Sequence, residues 1–136
     1  KTLLNTAAAK ASIQNLDFTL NKKKHKKLTA IIEVLNGYGA SKEAMVMARF
    51  LKKNGFTVSR FSDAGHYNYD KTLIVDWRGN NQKALQLADY LEISPKNIVT
   101  YNKEEKTIDF SIVLGRDWPE VKKRLAEKML LSTLKE

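Results

Sequence analysis

From Leu28 onward the apolar positions fall into short runs, and the period of each run predicts its geometry. Ala30, Ile32 and Val34 alternate with Ile31, Glu33 and Leu35, which predicts a first strand with one well-buried face. Asn36-Gly37-Tyr38-Gly39 reads as a turn, and Ser41 stands where it can cap a helix. Ala44, Met47, Ala48 and Leu51 then recur at three- and four-residue steps, and Asn54-Gly55 supplies a left-handed stop. Residues 56–61 read as a second strand running into a polar loop over 62–71.

Leu73-Ile74-Val75-Asp76-Trp77 is short and apolar enough for a central strand. Arg78-Gly79-Asn80 turns into a second helix with Ala84, Leu87, Ala88 and Leu91 on its inner side. After Pro95 a fourth strand covers 98–101, and residues 102–106 close a hairpin. In the fifth strand Ile108, Phe110, Ile112 and Leu114 alternate with Thr107, Asp109 and Ser111. Asp117 with Glu120 three residues on, and Pro119 in the first turn, make an acidic relative of the capping box. The helix that follows has Val121, Leu125 and Met129 inside, joined by Leu130 and Leu134.

The order β-α-β-β-α-β-β-α predicts a two-layer α/β (α+β) sandwich, a mixed sheet of about five strands with helices packed on one face. Its two βαβ-like halves are expected to be related as in a split βαβ fold, with Trp77 and Trp118 both packed in the core.

Composition narrows this picture. The 136 residues suit one domain, and 43% apolar content supports a packed core. No apolar run approaches the ~20 residues of a membrane-spanning helix. There is no cysteine, which excludes disulfides, thiolate metal sites and thiol nucleophiles. The chain opens on Lys1, as a processed piece does once its targeting segment is gone.

Charge divides the chain unevenly. Residues 1–27 hold seven lysines and one acid, whereas residues 28–136 hold 17 bases and 14 acids. The expected division is a basic stalk or linker, part helical, over 1–27, a domain over 28–118, and a C-terminal helix over 119–136 that packs on or extends it. A nucleic-acid reader usually spreads its bases over the folded face that grips phosphate, so no specific nucleic-acid partner is expected. A nucleic-acid-binding domain that uses the basic arm is the alternative.

Candidate chemistry is sparse. His66 lies near Asp63 and Asp70, where an acid could orient a base, so a small enzyme using the Asp63/His66 loop is a second alternative. No nucleophile elbow or metal-ligand spacing occurs, and neither a metal nor a cofactor is implied. Gly37-Tyr38-Gly39 between a strand and a helix resembles a dinucleotide turn, but Lys42 stands where the third glycine belongs. Backbone N–H groups there, beside Lys42, are suited to an anion. Candidate contacts are therefore the turn of Asn36, Gly37, Tyr38 and Gly39 with Lys42, the Arg78 and Asn80 turn, and a loop bearing Asp63, Tyr67 and Tyr69, whose tyrosines can stack on sugars. If both strand-to-helix turns lie at one edge of the sheet, they are neighbours.

Laid out in this way, residues 31–118 resemble the C-terminal domain of LytR-type cell-envelope proteins. The resemblance rests on Val34-Leu35-Asn36-Gly37-Tyr38-Gly39, Ala48-Arg49-Phe50-Leu51, Asn54-Gly55-Phe56-Thr57-Val58, Asp63-Ala64, Tyr69-Asp70-Lys71-Thr72, Ala84-Leu85-Gln86-Leu87-Ala88 and Val113-Leu114-Gly115-Arg116-Asp117-Trp118. It implies an extracytoplasmic bacterial envelope module, tethered to the membrane through a segment absent from this chain, that serves wall integrity. Its implied partner is an envelope glycopolymer or an envelope protein. It does not imply enzymatic activity, because ligase chemistry in LytR-CpsA-Psr proteins belongs to a separate domain.

Overall fold

The computed structural model describes residues 28–40, 42–103 and 106–134. The arm over 1–27, the cap expected of Ser41, and Glu104-Glu105 lie outside the described residues. In chain order come β1 (Ile31–Asn36), α1 (Glu43–Lys53), β2 (Thr57–Asp63), β3 (Leu73–Asp76), α2 (Asn81–Leu91), a single 3₁₀ turn (Pro95–Asn97), β4 (Ile98–Thr100), β5 (Phe110–Leu114) and α3 (Trp118–Leu134).

The strands form one mixed sheet in the order β2-β1-β5-β3-β4. β1 runs parallel to β2 and β5, while β3 is parallel to β4 and antiparallel to β5. The architecture is the expected five-stranded α+β sandwich, but two connections differ from expectation. Each βαβ half closes on adjacent strands, so neither is split. Nor do β4 and β5 form a hairpin, because β5 returns to the middle of the sheet, between β1 and β3.

Burial explains that placement. All five residues of β5 are buried, whereas β4 has two half-buried residues and an exposed Thr100. A strand buried on both faces gains most at the centre, and a short half-polar one suits an edge. On one side of the sheet Ile32, Val34, Ile74, Phe110, Ile112 and Leu114 meet the inner stripes of all three helices in a single core.

The helix ends show what the sequence hid. Gly55 takes φ 90° beyond α1, as expected, and Asn80 caps α2 by accepting the Lys83 N–H at 3.2 Å. Asp117 spends its carboxylate elsewhere: Oδ1 accepts the Thr72 N–H at 2.7 Å and the Thr72 hydroxyl at 2.8 Å. Trp118 is fully buried and donates Nε1–H to Glu43 at 2.7 Å. The inner stripe of α3 ends at Met129, since Leu134 is exposed. Trp77 corrects the expectation of a core tryptophan: it is half-buried on the opposite face, which no helix among the described residues covers.

Candidate functional site

The carboxyl end of β1 is built around one side chain. Asn36 Oδ1 accepts the N–H groups of Tyr38 and Gly39, each at 3.1 Å, and its Nδ2 donates to the Ala40 carbonyl at 2.7 Å. The Ala64 N–H donates to the Asn36 carbonyl at 3.0 Å, which fastens the polar loop after β2 onto this turn.

Two rings of that loop press on the turn. A β-carbon built on Gly37 would meet the Tyr69 ring at 2.5 Å and the Leu114 carbonyl at 2.9 Å, so only glycine fits beneath Tyr69. Tyr69 in turn carries His66, stacked at 4.6 Å with the planes 8° apart. His66 Nδ1 accepts the Asn68 N–H at 3.1 Å, which fixes the imidazole within the loop. Arg116 holds the far side, donating its N–H to the Tyr69 carbonyl at 2.9 Å and pairing with Asp70 at 2.8 Å.

Tyr67 lies over Gly39, which adopts φ 97°; a β-carbon there would sit 3.7 Å from the ring. The negative charge of Asp63 is the main reason the Tyr67 phenol stays above its ordinary value, with desolvation and the pull of the carboxylate on the phenolic proton adding to it. The ring is 47% exposed. Lys42, just ahead of α1, takes left-handed geometry (φ 69°) and is exposed, while Tyr38 is half-buried against the core.

The structure therefore gathers Asn36, Gly37, Tyr38, Gly39, Asp63, Tyr67 and Tyr69, with Lys42 just beyond, and adds His66 as a ring partner. Tyr69 differs from expectation in detail, because its ring supports His66 and covers Gly37 instead of facing outward on its own. His66 Nδ1 is taken by the Asn68 N–H and Asp70 by Arg116. Among the described residues no hydrogen bond joins His66 to Asp63 or Asp70, so neither acid orients the imidazole as a catalytic pair requires.

Arg78 and Asn80 lie at the opposite end. β3 runs antiparallel to β5, so its carboxyl end points away from that of β1, and the two strand-to-helix turns are not neighbours. There Arg78 Nε donates to Asp109 Oδ1 at 2.9 Å, and the Ile31 N–H donates to Oδ2 at 2.8 Å. Burial pushes the Asp109 carboxyl up, but the Ile31 bond, the Arg78 bond and the charges of Arg78 and Lys83 outweigh it and hold it below the usual range.

Trp77 donates Nε1–H to Ser111 at 2.8 Å, Ser111 donates to Glu33 at 2.6 Å, and Arg60 pairs with Glu33 at 2.8 Å. This chain satisfies a buried carboxylate. The Trp77 ring stacks on Tyr101 at 5.3 Å, and the Lys106 ammonium sits 4.4 Å from its centroid. The sequence signal for this cluster is positional: both aromatic residues fall one step past the ends of neighbouring strands.

Fold and site together define a small α+β domain whose gathered loop chemistry sits at one end of a helix-backed sheet. Residues 29–118 match the LytR_C family, described as LytR cell envelope-related transcriptional attenuator, and the chain belongs to that family. Among solved structures it is similar to the soluble domain of a conserved hypothetical secreted protein from Mycobacterium marinum. That domain is 19% identical, with a TM-score of 0.45, and the similarity covers 88% of this chain and 92% of the other. No curated protein sequence matches the chain. Among the described residues, no helix is long and apolar enough to cross a membrane.

Proposed function

We propose that this domain is a non-catalytic, extracytoplasmic module of the bacterial cell envelope that docks on an envelope glycopolymer through Tyr67 and His66. The observation that carries the reading is the way these two exposed rings are held. Each has one face backed, by Gly39 or by Tyr69; the Asp63 charge faces the Tyr67 phenol, and His66 Nδ1 accepts the Asn68 N–H. Among the described residues no ring or cation stacks on the other face of either. Rings fixed in advance lose little entropy on binding, and sugar rings present C–H faces suited to flat aromatic surfaces.

Membership of an envelope-related family supplies the setting. The seven lysines of residues 1–27 add attraction to an anionic surface, about 1 kcal/mol for each lysine close to it. Tethering through a segment ahead of Lys1 belongs to the same reading.

The test is sedimentation with purified insoluble peptidoglycan and, separately, with wall anionic polymer. Wild type, Tyr67→Ala, His66→Ala and a chain lacking residues 1–27 are compared. Either ring substitution is expected to weaken binding about tenfold, the effect of roughly 1.4 kcal/mol, whereas the deletion keeps the ring-dependent part. Binding that survives both substitutions but vanishes with the arm contradicts the proposal.

A further inference from the structure

β2 is the outermost strand of the sheet and, with seven residues, its longest. It pairs only with β1 among the described residues, five of its residues are exposed, and Phe61 is 44% exposed. Edge strands are ordinarily short or blocked by lysine, proline or a covering element, because their free N–H and C=O groups template another strand. The opposite edge follows that rule: β4 has three residues, and the chain beyond it is tied down by the Arg78–Asn102 bridge and the Tyr101–Trp77 stack. β2 contains neither lysine nor proline, its arginine is engaged by Glu33, and its one irregularity, at Ser59, leaves the stretch from Arg60 to Asp63 in regular register with β1. We infer that β2 is a self-association edge, at which two copies of the chain pair their β2 strands antiparallel about a two-fold axis through Phe61.

The register follows from which residues share a face. Pairing with β1 places Val58 and Phe61 on the helix side, with Ile32 and Val34, and places Arg60 and Ser62 on the other side, with Glu33 and Leu35; the irregularity falls at Ser59. Residues directly opposite in an antiparallel pair point to the same face, so the two-fold axis must pass through a residue. An axis at Arg60 sets two guanidinium groups against each other, and one at Ser62 sets Phe61 against Asp63. An axis at Phe61 buries the two exposed rings against each other and places Arg60 opposite Ser62, with no charge directly facing its like. The edge is therefore self-complementary, which is why a second copy is its occupant.

The size of the seam sets its strength. About Phe61 the two strands overlap only over residues 59–63, which covers much less than the roughly 800 Å² per partner of a standard interface, so the pairing is reversible. The net charge of +9 opposes it, and salt tightens it. In the pair, the two copies of Asp63 lie about 13 Å apart along the strands, which brings two Tyr67 loops onto one continuous sheet and gives a repeating polymer two points of contact. That last consequence rests on the glycopolymer reading; the pairing does not.

The chain has no cysteine, so introduced thiols report the register. Only the residue on the axis faces its own counterpart, whereas Thr57 lies beyond the paired stretch, on the side of the partner's loop after Asp63. In moderate salt with diamide as oxidant, Phe61→Cys is expected to form a disulfide-linked dimer at least about tenfold faster than Thr57→Cys, as the strand spacing requires. Light scattering of the unmodified chain should show a dimer fraction that grows with concentration and disappears in Phe61→Glu, whose site is exposed and whose circular dichroism should be unchanged. Equal rates at the two positions, no cross-linking at either, a monomer up to about 1 mM, or a dimer indifferent to Phe61→Glu would overturn the inference. No glycan enters these measurements, so their failure leaves the binding reading standing, and its failure leaves them standing.

Discussion

Both ends of the sheet carry paired aromatic rings, and the two pairs are finished differently. At the carboxyl end of β1, Tyr67 and His66 are each backed on one face and left open on the other. At the amino end, Trp77 lies between Tyr101 and Lys106, and its N–H is committed to Ser111. On the proposed reading the first pair is an offered surface, whereas the second is a staple that ties β4 and the following loop to the centre of the sheet. An aromatic residue near the surface is thus a poor guide to binding by itself. What separates the two clusters is whether the protein has already occupied the ring's second face.

Substitutions at the two ends should separate stability from binding. The largest effect is expected of Trp77→Ala, which empties a half-buried site and strips the buried Ser111 hydroxyl of its donor. Urea unfolding should show a loss of about 3 kcal/mol, while glycan binding at the other end persists under native conditions. Tyr67→Ala should do the reverse, raising the dissociation constant about tenfold while unfolding stays within about 0.5 kcal/mol of wild type.

Lys106→Ala sharpens the contrast further. It costs roughly 0.5–1 kcal/mol of cation–π stabilisation and bares one face of Trp77, so weak glycan binding should appear at the amino end. Intrinsic tryptophan fluorescence titrated with soluble glycan fragments would register it. The smallest effect concerns acid. Asp109 holds its carboxyl below the usual range, so its bonds to Ile31 and Arg78 contribute fully above about pH 4 and are lost as the pH falls through the lowered value. Thermal unfolding between neutral pH and pH 2 should show Asp109→Asn less stable at neutrality and less sensitive to acid than wild type, by an amount about that of one exposed pair.

The legible parts of this fold were those where one residue's burial depends on its own element. Ala84, Leu87, Ala88 and Leu91 announce a helix face, and Ile32 and Val34 a strand face. Strand order was not legible. Period-two alternation in β5 reads as one wet face, but Ser111 is buried there and used by Glu33 and Trp77, so the strand sits at the centre. Asp117 read as a helix cap because its spacing suits one, and its carboxylate went to Thr72, a partner 45 residues away.

The candidate site divided along the same line. The turn at Asn36 and the loop carrying Asp63, Tyr67 and Tyr69 read as separate candidate contacts, and it is the Ala64 bond to Asn36 and the Tyr69 ring over Gly37 that bring them together. The direction of β3, which sends Arg78 and Asn80 to the far end, depends on pairing that no local pattern encodes. His66 read as loop or base because nothing in its immediate sequence shows that Tyr69 will lie under it.

The central claim is that open, pre-positioned rings at the carboxyl end of β1 carry recognition. Ring-proton NMR during titration with soluble peptidoglycan fragments tests it most directly. The account predicts saturable shifts of the Tyr67 and His66 ring signals with Trp77 and Tyr101 unmoved; shifts confined to Trp77 and Tyr101, or none at either end, would contradict it.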